Sequence, residues 1–229
     1  VTQLTSEKYN SYWGFQNGQK RNARTKTIVE PILMLNHYFK INDQTNLNSS
    51  VLYQFGKIAN SNLDYQHANS PDPTYYRKMP SYYSSLYGMD NGEYSGAFIP
   101  DYDNATKSEE QFLANPQINW DAIYRANQNV ILDSNGIVTS YEPAKSKYVL
   151  YEDRVDDKTE AATTTLNTQL SENTTLTAGA SFKKLLSHNY QILSDLLGGL
   201  YFDDVDVFYK GKQAQSDLNN PNRQVVVGD

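Results

Sequence analysis

The sequence contains no cysteine, and this absence excludes two kinds of structure. Without thiols the chain can form neither a disulfide framework nor a metal site built from thiolates. Long apolar runs are missing as well, since no segment approaches the roughly 20 apolar residues that a membrane-spanning helix needs. A helical membrane protein is therefore excluded, whereas a barrel of short alternating strands is not.

Positive charge is scarce. The chain has 20 Lys and Arg against 26 Asp and Glu, a net charge of −6, which argues against a nucleic-acid-binding protein because such proteins present a basic face. The densest basic cluster is Arg21, Arg24 and Lys26, and we interpret it as a solvated strand end because such short patches are weak signals of a binding surface. The negative charge is concentrated between residues 64 and 158, where 15 acidic and 8 basic residues give −7.

Apolar residues are also fewer than in a typical soluble domain. They make up 38% of the chain, yet 19 residues are Tyr, and Asn, Ser and Thr are abundant. This mixture suits strands that have one wet and one apolar face and that are joined by polar turns. Disorder explains it poorly, because the aromatic residues are too many and too regularly placed.

A first hairpin is predicted from a strand over residues 27–41, a turn at 42–44 and a returning strand from 45 to about 62. In the returning strand Leu47, Val51, Tyr53 and Phe55 hold odd positions while polar residues hold most even ones, the period-2 pattern of a strand with one apolar face. Pro31 cannot donate to a strand ladder, so we expect irregular pairing there.

A second hairpin is predicted around a turn at residues 171–173, because apolar residues hold even positions on both sides of it. If the two hairpins belong to one barrel, both turns lie at the same end of the sheet. Their apolar residues then share the outer, lipid-facing side, because a barrel lumen is polar. The residues expected on that side are Leu47, Val51, Tyr53, Phe55, Leu166, Leu176, Ala178 and Phe182.

The connections are unequal in length, and this suggests a domain organisation. Each hairpin closes in about three residues, whereas nearly 100 residues separate the hairpins, an arrangement typical of barrels with short periplasmic turns and long extracellular loops. The predicted segments are 1–26, the end of an extracellular loop; 27–62, a barrel hairpin; 63–158, a long extracellular loop; 159–192, a second barrel hairpin; and 193–229, a further extracellular loop.

Short helices are expected inside the long loop. Ser108 with Gln111 has the spacing of a capping box, and the helix that it starts must end before Pro116. Asn119 is placed to cap a second helix, in which Trp120, Ile123 and Tyr124 share one face. The predicted fold class is thus mainly β, with antiparallel hairpins forming part of a transmembrane β-barrel and a long extracellular loop containing short helices.

Several strings resemble the barrel region of TonB-dependent outer-membrane receptors, especially those whose barrel follows a carboxypeptidase-like regulatory domain. The resemblance spans roughly residues 9–208. The strings that carry it are Tyr-Trp-Gly-Phe-Gln-Asn-Gly at 12–18, Lys-Arg-Asn-Ala-Arg at 20–24, Glu-Pro at 30–31, Leu-Asn-His-Tyr at 35–38, Tyr-Gln-Phe-Gly-Lys at 53–57, Leu-Asp-Tyr at 63–65, Tyr-Tyr-Arg-Lys-Met-Pro-Ser-Tyr at 75–82 and Asp-Leu-Leu-Gly-Gly at 195–199.

The resemblance implies a barrel of about 22 strands enclosing a plug, located in the bacterial outer membrane and taking up a scarce nutrient with energy supplied through TonB. The expected partners are the remaining strands and plug of the same receptor, TonB through regions outside this chain, a surface lipoprotein and outer-membrane lipid. No plug and no TonB-contacting box is recognisable in this sequence, so we expect the chain to be an excerpt of a longer polypeptide.

No enzyme active site, cofactor site or metal site is predicted. Ser181 and Lys184 match a Ser-x-x-Lys pattern, but they lie on an alternating strand and lack the partner motifs of that acyl-enzyme class. His37, His67 and His188 lack further ligands at metal-binding spacing. The acidic cluster of Asp203, Asp204 and Asp206 is open to two interpretations, a cation site or a solvated loop.

One group of residues is a candidate binding site for a ligand or a partner protein. Exposed Tyr beside Arg offers flat, amphipathic contact area, and Tyr rings also stack on sugars. The alternative is that these rings pack the long loop onto the barrel rim. An alternative for the whole chain is a secreted β-rich module that binds carbohydrate or protein. The candidate residues are Tyr75, Tyr76, Arg77, Tyr82, Tyr83 and Tyr87.

Overall fold

The fold is mainly β, and its sheets are antiparallel, as predicted. The computed structural model describes the backbone of every residue except Thr2, His67, Leu86, Asn91 and Gly92, and the side chains of all but these and residues 87–90 and 93–98. The chain forms two compact units. The core unit comprises Val1–Arg24, Asn62–Tyr151 and Leu193–Asp229, and the sheet unit comprises Thr25–Ser61 and Glu152–Ile192.

The elements alternate between very short and very long strands. The strands are β1 Trp13–Gln16, β2 Gln19–Asn22, β3 Lys26–Val29, β4 Ile32–Asn42, β5 Thr45–Tyr65, β6 Tyr87–Asp90, β7 Glu93–Phe98, β8 Gln128–Leu132, β9 Val138–Pro143, β10 Tyr148–Ser171, β11 Thr174–Asp195, β12 Phe202–Asp203 and β13 Gln224–Val225. The helices are α1 Pro80–Ser84, α2 Tyr102–Ala114 and α3 Trp120–Ala126, with 3-10 turns at Tyr76–Lys78 and Gly211–Ala214. No helix in the described part of the chain is long and apolar enough to span a membrane.

The sheet unit is built on five strands in the order β11, β10, β5, with β3 and β4 both paired to β5. The predicted interruption at Pro31 is confirmed, since β3 ends at Val29 and β4 begins at Ile32. Both hairpins are tight, because only two residues separate Asn42 at the end of β4 from β5, and two separate Ser171 at the end of β10 from β11. The amide of Gln169 donates to the carbonyl of Gln44 at 2.9 Å, so the two turns lie at the same end of the sheet, as predicted.

The register brings the predicted apolar residues to one face. On β4 and β5, Leu35 is opposite Val51 and Phe39 is opposite Leu47. Side chains directly opposite each other in an antiparallel pair point to the same side. The Ser49 and Thr164 hydroxyls bond at 3.0 Å, which sets Leu47 opposite Leu166 by counting two residues along each strand.

The same counting extends the face to β11. Thr177 donates to Asn167 at 2.8 Å, so Ala178 lies opposite Leu166 and Phe182 lies opposite Ala162. All eight residues predicted to share a face do share it. We call this surface the apolar face.

The apolar face has nothing covering it within the sheet unit. Leu35 is 71% exposed, Val51 55%, Phe182 59% and Leu170 63%. Ala59 is the single buried apolar residue among the described residues of this unit. The strands are therefore held together by backbone hydrogen bonds and cross-strand pairs and not by a packed interior.

The core unit, by contrast, has two buried clusters. The first contains Ala23, Ile118, Trp120, Ile123 and Leu197, and the second contains Val149, Leu193, Phe202 and Val225. Trp120 and Leu197 are fully buried. The prediction for α3 is confirmed, because the Asn119 side chain accepts the Ala122 amide at 2.9 Å and Tyr124 packs on the first cluster.

The start predicted for the preceding helix is wrong. Helix α2 begins at Tyr102, six residues before the predicted cap Ser108, and is capped by Asp101, whose carboxylate accepts the Asn104 amide at 2.9 Å. Asp competes well with Ser for a cap position, and it lies at the true start of the helical segment. Ser108 is instead buried within α2, and its hydroxyl donates to the Lys78 carbonyl. The helix does end before Pro116, as expected.

A buried polar side chain connects the loops of the core unit. Asn127 is fully buried, and its amide nitrogen donates to the carbonyls of Tyr148 at 2.7 Å, Leu196 at 2.9 Å and Leu197 at 3.2 Å. Its oxygen accepts the amides of Lys147 at 2.7 Å and Tyr148 at 3.0 Å. One side chain thus satisfies backbone groups that would otherwise be buried without partners.

Candidate functional site

The tyrosines singled out from the sequence form a continuous chain of rings. Tyr75 and Tyr76 have centroids 4.8 Å apart, Tyr76 and Tyr82 are 5.6 Å apart, and Tyr82 and Tyr83 are 5.2 Å apart, all edge to face. Such T-shaped pairs are favourable beyond the area that they bury. The side chain of Tyr87 lies outside the described residues.

Local structure explains why these rings meet. The 3-10 turn Tyr76–Lys78 leads directly into α1, whose first residue is Pro80, a residue favoured at the first position of a helix. This tight connection places rings that are six residues apart in sequence on the same side of the segment. The sequence alone did not predict either helical turn.

Arg77 is the cation of this ring chain. Its Nε donates to the Tyr76 hydroxyl at 2.8 Å, and its guanidinium lies 5.5 Å from the centroid of the Tyr76 ring. The hydrogen bond from Arg77 lowers the pKa of Tyr76, because the donor stabilises the phenolate form. Tyr76 is 55% exposed, so this pair presents a polar, aromatic surface to solvent.

Two cavities of the core unit are each lined by some of the predicted residues. Arg77 and Tyr83 line a cavity of about 490 Å³, whereas Tyr75 lines another of about 280 Å³. The smaller one also contains Tyr12, whose ring lies 4.1 Å from the Arg24 guanidinium. Arg77 and Tyr83 therefore do not share a cavity with Tyr75, and the described residues of the predicted site do not converge on a single centre.

The larger cavity, which we call the α1–α2 cavity, is distinguished by its charge. Three cations line it, Arg77, Lys78 and Lys107, and none of the described residues that line it is a carboxylate. Helix α2 supplies Lys107 together with Gln111, and the segment before α1 supplies the other two cations. The buried Ser108, bonded to the Lys78 carbonyl, fixes the two segments against each other.

Lys78 is held at this cavity by a backbone carbonyl. Its ammonium donates to the Ser70 carbonyl at 2.5 Å. Burial of the charged group lowers the pKa of Lys78, and the negative charge of Asp72 partly opposes that shift. Lys78 and Lys107 were not predicted as site residues, and the only signal for the first was its position in the string Tyr-Tyr-Arg-Lys.

The acidic cluster near the C-terminal end does not have the arrangement of a cation site. Asp203 pairs with Lys145, and the Asp206 carboxylate accepts the Phe208 amide at 2.9 Å. Within the part of the chain that the structure describes, no group of three or more His, Cys, Asp or Glu could hold a metal ion. The loop interpretation of Asp203, Asp204 and Asp206 accounts for these contacts.

No model of a known protein family matches the chain, and no curated protein matches it either. Membership of the TonB-dependent receptors, expected from the strings quoted above, therefore stays a prediction.

Proposed function

We propose that this chain is a segment of the barrel wall and extracellular loops of a TonB-dependent outer-membrane receptor, which serves nutrient uptake or outer-membrane assembly. The observation that carries the proposal is the apolar face of the sheet unit. Its strands alternate regularly over long stretches, yet Ala59 is the single buried apolar residue among the described residues of that unit. Water does not stabilise such a surface, whereas lipid does.

The height of the apolar rows supports a membrane environment. On β5 the apolar positions run from Leu47 to Phe55, and on β10 they run from Ala162 to Leu170. Nine residues at about 3.4 Å each match the 9–11 residues with which a tilted strand crosses the hydrocarbon core. The strands are much longer, 21 residues for β5 and 24 for β10, as expected for strands that continue beyond the membrane.

The composition of the face changes where the apolar rows end. The Tyr53 and Phe55 rings pack there in a tilted arrangement with centroids 5.4 Å apart, and aromatic residues are enriched at membrane interfaces. Charged residues follow: Arg154 bonds to Asp156 at 3.0 Å and lies 5.6 Å from the Tyr190 ring. This order of aliphatic, aromatic and charged layers is what an outward-facing strand needs on crossing into the headgroup region.

The opposite face and the edges are consistent with a barrel wall. The opposite face carries many short polar side chains, as a lumen would; examples are Asn48, Ser50, Thr163, Thr165, Asn167 and Thr177. Strands β4 and β11 each have one side without a pairing strand in the described residues. Unpaired strand edges are unfavourable in lipid, so the proposed partners of these edges are the remaining strands of the receptor. The other proposed partners are the plug, outer-membrane lipid, TonB and a surface lipoprotein.

A second candidate function is favoured by one observation. The core unit has two hydrophobic clusters and its own cavities, as a secreted carbohydrate- or protein-binding module would. This second function does not require any contact between lipid and the apolar face of the sheet unit.

A substitution on the apolar face tests the lipid-facing proposal. Val51→Arg places a charge among the apolar rows, and Ser50→Arg, the matched control, places the same charge on the opposite face. We expect V51R to reduce the stability of the protein folded into phospholipid vesicles by about 2–4 kcal/mol and S50R by much less. Urea titrations followed by far-ultraviolet circular dichroism provide the measurement. Equal effects of the two variants argue against lipid contact.

Size-exclusion chromatography of residues 1–229 without detergent separates the two candidate functions. The proposed barrel segment aggregates under these conditions, because its free edges and apolar face are open to other chains. A sharp monomer peak at 26.1 kDa, the mass of the chain, would favour the secreted module.

A further inference from the structure

We propose that the α1–α2 cavity is a binding site for a small organic anion, whose carboxylate or phosphate group is held by Arg77, Lys78 and Lys107. This site goes beyond the proposed barrel function and is independent of it, because every residue involved belongs to the core unit.

The first argument is the distribution of charge. Residues 64–158 carry a net charge of −7 by count from the sequence, 15 acidic against 8 basic residues. Three of those 8 cations line this one cavity, and no carboxylate lines it in the part of the chain whose side chains the structure describes. Cations in an acidic segment normally intersperse with carboxylates, because pairing lowers their electrostatic energy. A concentrated positive cavity instead attracts an anion to itself.

The second argument is the state of the carboxylates that interact with these cations. Asp101 interacts with Lys107, but its two oxygens accept the backbone amide of Asn104 at 2.9 Å and that residue's side-chain amide at 2.6 Å. Asp72 interacts with Lys78, but its Oδ1 accepts both the amide and the hydroxyl of Thr74 at 2.8 and 2.7 Å. Both carboxylates hold local structure, and neither is among the described residues that line the cavity.

The third argument is the partial burial of Lys78. Loss of water lowers the pKa of the Lys78 ammonium, and the negative charge of Asp72 offsets this shift only in part. An anion bound beside the ammonium adds further negative charge and so reduces the cost of its lost hydration. Arg77 is suited to the same ligand, because a guanidinium binds carboxylate or phosphate through two parallel hydrogen bonds.

The remaining lining explains why the ligand should be organic and small. The volume of about 490 Å³ falls within the usual range for small-molecule sites, roughly 300–1,000 Å³. Gln111 and Asn115 offer neutral hydrogen-bonding groups, and the rings of Tyr83 and Phe112 offer apolar surface. An inorganic ion would contact neither the amide side chains nor the aromatic rings. A polar organic ligand can form hydrogen bonds with the amides and pack against the rings.

Calorimetric titration of the protein in detergent micelles tests the proposal with four probes: glucose 6-phosphate, glucuronate, neutral glucose and inorganic phosphate. We expect both sugar anions to bind about tenfold or more tightly than glucose, and at least one of them more tightly than inorganic phosphate. We also expect the affinity to fall as salt is added, because the contacts are electrostatic.

A pair of matched double variants locates the site. Arg77→Gln with Lys107→Gln should weaken sugar-anion binding by about tenfold or more. Lys8→Gln with Lys210→Gln removes the same charge from exposed residues of the core unit that do not line the cavity, and it should leave affinity nearly unchanged. Chemical acylation of Lys78 should slow when the anion is bound, because the bound charge raises the pKa of its ammonium.

Three results would overturn the proposal: glucose binding as tightly as the anions, inorganic phosphate binding as tightly as both sugar anions, or equal losses in the two double variants. Absence of binding by every probe up to about 10 mM, beyond the range of weak specific binding, would overturn it as well. Aggregation of the protein without detergent bears only on the barrel proposal, so the two can fail separately.

Discussion

The two units of the chain use apolar residues in opposite ways. In the core unit Trp120 and Leu197 are completely buried, whereas in the sheet unit Leu35 is 71% exposed and Phe182 is 59% exposed. Burial of apolar surface stabilises a protein by roughly 25 cal/mol per Å² removed from water. Of the two units, only the core unit obtains much of this stabilisation from contacts among its own residues. The difference teaches that two regions of one chain can suit different environments. The core unit packs its apolar residues against each other, whereas the sheet unit needs an apolar medium outside the protein.

The comparison also applies to polar groups. In the core unit, buried backbone groups of irregular loops find a partner in Asn127. In the sheet unit the backbone groups of inner strands are paired by neighbouring strands, and side chains such as Ser49 and Thr164 bond across strands. Loss of a side-chain partner should therefore damage the core unit much more than the sheet unit.

The largest expected effect comes from Asn127→Asp. A carboxylate at this position faces the carbonyls of Tyr148, Leu196 and Leu197, so we expect a loss of about 3–5 kcal/mol, the range for an unpaired buried charge. Both tryptophans, Trp13 and Trp120, lie in the core unit, so their fluorescence during urea unfolding reports this unit selectively. Asn129→Asp, at an exposed position, is the control and should change little.

A matched pair of leucines tests the comparison directly. Leu197→Ala should destabilise the core unit by about 2–5 kcal/mol, the usual cost of removing a fully buried leucine side chain. Leu35→Ala in the sheet unit should cost at most about 0.5 kcal/mol in detergent, because an exposed leucine leaves no cavity. Hydrogen exchange of the peptides around each substitution gives both values. Similar losses at the two positions would mean that the apolar face has an interior partner.

The smallest effect is a pH dependence confined to the core unit. Tyr9 donates its hydroxyl to the Pro116 carbonyl, and burial, followed by the charge of Asp72, raises the pKa of Tyr9 to about 12. Because the folded pKa lies above the ordinary value of about 10, the stabilisation is complete below pH 10 and is lost as the pH rises through 12. After allowance for screening by solvent, we expect a loss of about 1 kcal/mol.

Tyr9→Phe provides the reference, because it has no proton to lose at this position. The difference in unfolding free energy between the wild-type protein and Y9F, measured by tryptophan fluorescence, should shrink between pH 9 and 11.5. A constant difference would mean that the Tyr9 hydroxyl titrates normally.

The sequence was sufficient to predict the parts of the fold that depend on local pattern. Alternation located both hairpins and the shared face, because a strand with one apolar side must repeat every two residues. Pro31 located the break between β3 and β4, and Asn119 located the start of α3. The start of α2 was misplaced because Asp101 and Ser108 are both acceptable caps, and only tertiary packing selects between them.

The extent of the long strands and the α1–α2 cavity could not be predicted in the same way. Residues 148–158 belong to β10, but charged residues occupy both faces there. The alternation of apolar and polar positions that predicts a strand is therefore absent from this segment. The cavity depends on Lys107 of α2 meeting Lys78 some thirty residues earlier, as the Ser108 bond to that residue shows. Two strands, β6 and β7, lie between Lys78 and Lys107 in the sequence. Sequence spacing cannot predict contacts across such a segment, so the site is visible only in the folded structure.

The first hydrophobic cluster of the core unit has a consequence for how fast the protein folds. Ala23, Trp120 and Leu197 come from three separate stretches of the chain, and the bond between Arg21 and Asp195 joins residues 174 positions apart. Closing such loops costs entropy before any packing compensates for it, so proteins with distant contacts fold slowly. Synthesis proceeds from the N-terminus, and the cluster therefore stays incomplete until Leu197 has been made. Until then the Trp120 indole is only partly buried. The exposed apolar surface of the incomplete cluster can associate with other chains unless another molecule covers it.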